Sequence, residues 1–240
     1  MTNPTLDLLF GHRSIRSFKP ERVEDEKLDL ILTAGTRAAT PAEMQFYSLI
    51  VVDEPELVAK LDTTAPVVIV ACIDLHRHNR WMASRQAMAL QGSTSELLFC
   101  FWDIAITLQN MAIAAECLGL GTLTAVREMH GLFDLPEGVY PAAILALGYA
   151  AENPDLRPRF PLEAVVHRNA YHVPSDKNIQ DWYRSLDDKW DVWPREALER
   201  LGDSSCQNFA QVLSALLSRE AGWIEANLRD TGYAAADNTA

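Results

Sequence analysis

The sequence is short of positive charge. It sets 21 Lys and Arg against 33 acidic residues, for a formal net charge of -12. A surface of that sign repels phosphate backbones and anionic lipid, so neither nucleic acid nor a membrane is an expected partner. Cysteine is scarce as well. Cys72, Cys100, Cys117 and Cys206 form no C-x-x-C pair, which argues against zinc ribbons and dithiol redox motifs. All but Cys206 lie among apolar neighbours, and free core thiols in a reducing compartment are expected. No G-x-G-x-x-G follows a strand-like run, so a Rossmann nicotinamide site is unsupported. There is no catalytic triad, no acid–base carboxylate pair, no internal repeat and no low-complexity tract. The opening "MTNPTLDLLF" lacks the basic start and apolar run of a signal peptide. No apolar stretch is expected to reach the ~20 residues of a bilayer span. These absences together lead to the expectation of a cytoplasmic protein.

What is present is material for a core. Of 240 residues, 48% are hydrophobic, ample for one large domain with or without an appendage. "VEDEKLDLILTAGTR" reads as a helix with acids in its first turn, where they favour the helix dipole. "FYSLIVVD", "PVVIVACID" and "YPAAILALGYA" are apolar runs of strand length and predict buried strands. Ser93 and Glu96 have capping-box spacing, and Gly119 is a natural stop. The helix they bound, "LLFCFWDIAITLQNMAIAAECL", is apolar around most of its circumference. It must be buried on several sides, either as a central core helix or against a second subunit. "ENPDLRPRFPLEAVVH" is a Pro-punctuated arm that cannot form a regular helix. The reading is α+β, because strands and helices do not alternate strictly. It has a core over residues 1–173 and a helical extension over 174–240, in which Trp182, Trp190, Trp193 and Trp223 serve packing.

Against the acidic background one cluster of cations stands out. "FGHRSIRSFKP" carries His12, Arg13, Arg16 and Lys19, with Ser14 and Ser17 between them. Arg guanidinium matches phosphate oxygens bidentately, so an irregular segment of this kind suits one phosphate. A second pair, Arg157 and Arg159, flanks Pro158. Short basic clusters are common, so composition alone favours reading all four as surface charges. His76 and His78 in "DLHRHNR" lack a third ligand nearby and read as a solvated loop rather than a metal site. Asp103, inside the long helix, reads as a satisfied polar group.

Three motifs in order decide between these readings: "HRSIRSF", "GLGT" after the long helix, and "NPDLRPRFPLEAVVHRNAYH". Together they resemble the FMN-dependent nitroreductase family, most closely its oxygen-insensitive NADPH nitroreductases and flavin reductases. The resemblance runs from about Leu8 to His172. It implies a central mixed or antiparallel sheet flanked by helices, in an intertwined homodimer with two sites at the interface. It assigns His12, Arg13, Ser14 and Arg16 to FMN phosphate and ribityl oxygens, and adds Arg157 and Arg159 to the phosphate. The loop "ATPAEMQ" puts Thr40 and Gln45 near the flavin, and Thr64 stands where a Gln is frequent. Glu43 replaces a substrate-facing aromatic residue, and Arg219 matches a residue that reaches the same pocket. The implied activity is FMN-dependent reduction of nitroaromatics, quinones or flavins by NAD(P)H, in a ping-pong hydride mechanism that requires no protein catalytic residue and no metal. The alternatives are a flavin-dependent dehydrogenase or dehalogenase of the same family, or a flavin-binding protein without turnover. The loop after Gly121 is shorter than in close relatives. The Arg of NADPH-specific members has candidates in Arg184, Arg195 and Arg200.

Overall fold

The computed structural model describes residues 3–129, 131–187 and 206–230. Among them, four strands form one antiparallel sheet in the order β1-β2-β4-β3. They are β1 (Tyr47–Val52), β2 (Val67–Asp74), β3 (Gly121–Ala125) and β4 (Val139–Gly148). The three apolar runs are strands, as expected. β3 is an addition that its short Thr- and Gly-containing sequence did not announce. The described helices are α1 (Pro4–Gly11), α2 (Asp25–Thr36), α3 (Pro55–Lys60), α4 (His76–Ser84), α5 (Thr94–Cys117), α6 (Leu162–Val165), α7 (Asp176–Asp187) and α8 (Phe209–Asp230).

β2 lies inside the sheet, and all eight of its residues are buried. Its two faces serve two cores. Val67, Ile69, Ala71 and Ile73 pack with Cys100, Ile104, Leu108, Met111 and Ala115 of α5 and Ile31 of α2. Val68, Val70 and Cys72 pack on the other side with Ile15, Phe18, Val58 and Leu61. Along β4 the alternation changes phase. Ile144 and Ala146 belong to the second core, whereas Leu145 and Leu147 join Tyr140 and Ala142 in the first. The cause is a bulge. Ala71 pairs with Ala143 but Cys72 pairs with Pro141, so Ala142 is the extra residue. Pro141 has no N–H for a ladder, and it sits at this irregularity, beyond the stretch of β4 that pairs with β3.

α5 begins as its sequence requires. Ser93 Oγ accepts from the Glu96 amide at 3.3 Å, and Glu96 Oε2 accepts from the Ser93 amide at 2.7 Å. The helix ends at Cys117, with Gly119 at φ +81° beyond it. Cys100, Ile104, Thr107, Leu108, Met111 and Ala115 form its buried side. Leu98, Phe99 and Trp102 are exposed. By length and composition alone α5 could cross a bilayer, contrary to the expectation that no segment comes near that length. Its buried side packs on the sheet.

Two further expectations are corrected. His76 and His78 lie on helix α4 rather than in a solvated loop, and His78 is buried. Cys72 and Cys100 are buried thiols, but Cys117 is exposed.

The chain divides into two units. One is Met1–Leu156 with the chain from Trp223 onward, and the other is Arg157–Gly222. In the second, residues 157–161 have no regular structure and α6 is a single turn, as the prolines dictate. Phe160 and Tyr183 stack at 4.8 Å within it, and Val212 is fully buried. Trp190, Trp193, Arg195 and Arg200 lie outside the described residues.

Candidate active site

The cation segment docks on a pair of glycines. Gly121 and Gly148 face each other across the β3–β4 ladder. A Cβ on Gly121 would lie 2.7 Å from Ile15 Cγ1 and 3.0 Å from Ile15 Cβ. One on Gly148 would lie 2.5 Å from Pro66 Cδ and 3.3 Å from Phe18 Cδ1. Neither position leaves room for a side chain. Ile15 and Phe18 are buried there, and they fix which way the intervening residues face. The backbone secures the same arrangement. The Ile15 amide donates to Thr122 O at 2.8 Å, Lys19 donates to Tyr149 O at 2.8 Å, and Ala151 donates to Ser17 O at 2.9 Å. Thr64 Oγ1 accepts from the Phe18 amide at 3.2 Å, which places this predicted residue against the segment.

The polar side chains of the segment are partly committed. His12 Nδ1 meets Glu116 Oε1 at 2.5 Å, and Thr122 Oγ1 donates to the same oxygen at 3.2 Å. His12 thus ties the segment to the last turn of α5. Arg13 donates from Nε to Gly11 O at 3.2 Å, and from Nη1 to Asn153 Oδ1 at 2.8 Å and Pro154 O at 3.0 Å. Among the described residues that leaves the two hydrogens of Nη2 without a partner. The amides of Arg16 and Ser17 both donate to one carboxylate oxygen, Glu152 Oε1, with the Ser17 bond at 3.0 Å. Two successive N–H groups converging on one oxygen form a local site for negative charge. Arg16 is exposed, and the Ser14 hydroxyl makes no hydrogen bond among the described residues.

The second group of predicted residues surrounds Asp103. Thr40 Oγ1 donates to Asp103 Oδ2 at 2.8 Å and accepts from the Gln45 amide at 2.9 Å. The same carboxylate oxygen accepts from the Phe46 amide at 3.0 Å. The one hydroxyl hydrogen of Thr40 is therefore engaged, and towards a ligand this oxygen can only accept. Gln45 Nε2 donates to Tyr47 Oη at 3.1 Å and Thr36 O at 3.4 Å. Asp103 is fully buried, and its Oδ1 has no hydrogen-bond partner among the described residues, so it is only half satisfied. Three residues of this loop have left-handed backbone, Ala42 at φ 50°, Glu43 at 59° and Gln45 at 49°. Glu43 is exposed.

Arg157, Arg159 and Arg219 belong to the second unit. Arg157 and Arg159 are exposed, and Arg159 Nη1 donates to Arg157 O and Pro158 O at 3.1 and 3.3 Å. Arg219 lies on α8, half buried. Sequence reasoning missed Glu116 and Glu152 and discounted His78; each has a partner distant in the chain, His12 for Glu116, Arg16 and Ser17 for Glu152, and Met44 for His78. Glu116 left a trace, as an acid interrupting an apolar helix. Among the described residues there is no His, Cys, Asp or Glu group able to hold a metal ion.

A model of the nitroreductase family matches residues 9–64, the span from the cation segment through the Asp103-linked loop to Thr64. The chain is 33% identical over 199 residues to the oxygen-insensitive NADPH nitroreductase of Salmonella typhimurium, covering 77% of this chain and 81% of that one. It is 32% identical over 209 residues to FMN reductase (NADPH) of Bacillus subtilis, covering 76% and 84%. The chain belongs to the nitroreductase family. The fold agrees. The solved structure of B. megaterium NfrA2 superposes with a TM-score of 0.80 at 28% identity, covering 96% of this chain and 98% of that one. The NADPH:FMN oxidoreductase of Vibrio harveyi, solved in complex with NAD+, gives 0.69 at 27%, covering 91% and 98%. In this member of the family the antiparallel sheet and α5 frame both groups of residues described above.

Proposed function

We propose that the protein is an FMN-dependent NAD(P)H oxidoreductase that reduces electron-poor small molecules such as nitroaromatics, quinones or flavins. The observation that carries this reading is the docked segment from His12 to Ser17. Its donors suit a phosphorylated flavin: a Ser14 hydroxyl and an Arg13 Nη2 that make no hydrogen bond among the described residues, and an exposed Arg16. FMN, when bound, supplies the hydride chemistry. The residues of this chain bind and orient. Arg13, Ser14 and Arg16 hold the phosphate and ribityl oxygens, and His12 fixes the segment against Glu116. Arg157 and Arg159 are proposed as further phosphate cations on the family pattern. Thr40, Gln45 and Thr64 border the flavin, with Thr40 as an acceptor only. Glu43 and Arg219 are proposed to meet the substrate.

The enzyme is further proposed to be a cytoplasmic homodimer, with the core and helical extension dividing near residue 173. The exposed Leu98, Phe99 and Trp102 on α5 support the dimer, because such apolar groups cost free energy in water. The test is steady-state kinetics on flavin-loaded protein with NADPH or NADH and a quinone. Parallel double-reciprocal lines and stoichiometric FMN are expected. Absence of FMN from the purified and reconstituted protein would overturn the proposal.

A further inference from the structure

The loop from Thr40 to Phe46 is strained, and its second half, Met44 to Phe46, is held at every backbone amide and carbonyl. Left-handed backbone at Ala42, Glu43 and Gln45 is unfavourable for side chains with a Cβ, and it persists only where the surroundings over-determine it. They do so here. The Met44 amide donates to Pro41 O at 3.0 Å, and Met44 O faces His78 Nε2 at 2.7 Å. Gln45 O accepts from Arg77 Nη2 at 2.6 Å, and the same nitrogen reaches Tyr47 O at 3.2 Å. Phe46 O accepts from the Asp74 amide at 3.1 Å. Thr40 and Asp103 take the amides of Gln45 and Phe46. His78 is buried and stacks on Phe46 at 4.8 Å between ring centroids. Ala42 and Glu43, at the tip of a single 3-10 turn over Pro41–Glu43, are both exposed. A rigid frame therefore presents an exposed acidic tip. Asp103 is costly in this role, because it is fully buried with one carboxylate oxygen unpartnered. Stability alone favours an apolar side chain at that point of α5.

We propose that Asp103, acting through Thr40 and supported by His78 and Arg77, is a positioning residue that holds the Ala42–Gln45 turn so that the Glu43 carboxylate sets the charge preference of the acceptor site. Neutral and cationic acceptors are favoured over anionic ones. This rests on the oxidoreductase reading above. A general loss of structure lowers kcat/KM for all acceptors alike, whereas displacement of Glu43 changes the ratio between a neutral and an anionic acceptor.

The experiment compares kcat/KM for a carboxylated nitroaromatic and its neutral amide in wild type, Glu43→Gln, Thr40→Val, Thr40→Ser and Asp103→Asn. Hydrogen exchange at the Gln45 and Phe46 amides is followed in the flavin-free protein. Wild type is expected to prefer the amide by about tenfold through charge repulsion across a partly screened site. Glu43→Gln and Thr40→Val should each largely abolish the preference, and a variant carrying both Glu43→Gln and Thr40→Val should show no further change. Thr40→Ser should restore it. Thr40→Val should speed exchange at the Gln45 amide by about tenfold or more, because the hydroxyl that accepts from it is lost, with a smaller change at Phe46, whose acceptor is Asp103. An unchanged ratio in Thr40→Val, or unchanged exchange, overturns the positioning role. Loss of flavin from Thr40→Val with normal exchange assigns Thr40 to the cofactor and overturns it too. Wild type without flavin or turnover refutes the functional reading instead, and the exchange data then still decide whether Thr40 and Asp103 hold the loop.

Discussion

Gly121→Ala is the sharpest perturbation of the docked segment. The new methyl would lie 2.7 Å from Ile15 Cγ1, 3.0 Å from its Cβ and 3.2 Å from its Cγ2. Comfortable carbon–carbon contact is about 3.5–4.0 Å, so the two chains must separate by about 1 Å. Ile15 cannot simply rotate away, since it is β-branched, with a restricted χ1, and buried in the second core. Separation instead stretches the bond from the Ile15 amide to Thr122 O, now 2.8 Å. Overpacking of this kind costs about 1–3 kcal/mol. The displacement also carries Ser14 and Arg16, and FMN affinity should fall by about tenfold, the equivalent of one impaired hydrogen bond to a charged group. Urea unfolding of the apoprotein and FMN titration read the two effects separately. Ile15→Ala removes both Cγ atoms, so its own cost should be smaller in the Gly121→Ala background than in wild type, with a coupling of about 1 kcal/mol. Additive costs together with unchanged FMN affinity would show that the segment neither depends on Gly121 nor positions the phosphate ligands.

Three more outcomes are expected. Arg16→Ala should weaken FMN binding about tenfold to a hundredfold at fixed salt, through loss of a charge-assisted bond of about 1.5–3 kcal/mol, as measured by FMN dissociation. Trp102→Glu puts a charge into the exposed apolar stripe of α5 and should give monomeric, flavin-poor protein by sedimentation; a flavin-loaded dimer would remove α5 from the interface. Burial pushes the thiols of Cys72 and Cys100 up to about 12, with Asp74 and Asp103 respectively adding to the effect. At neutral pH both should resist alkylation until the protein unfolds, and rapid labelling of either by mass spectrometry would contradict their burial.

Local features of the fold were legible in the sequence. The capping box of α5 needs only Ser93 and Glu96, and the three apolar strands declare themselves by composition. β3 did not, because its burial comes from pairing with β4 rather than from its own residues. The cation segment was visible as a cluster, but its dock was not. Gly121 and Gly148 become partners only through the ladder, and their lack of side chains matters only once Ile15 and Phe18 arrive. Asp103 shows the same limit. A polar residue on an apolar helix was evident, whereas its partner Thr40 lies 63 residues away and the strain it supports resides in dihedral angles. His78 was hidden among polar neighbours, and burial on α4 is what distinguishes it from His76.

Anaerobic mixing of the FMN-loaded protein with NADPH, and separately with NADH, tests the oxidoreductase assignment most directly. The visible absorbance of the bound flavin should disappear before any acceptor is added, at a rate no slower than turnover, and should return when a quinone is supplied. Bound flavin that stays oxidised under an excess of both nicotinamides would contradict the assignment.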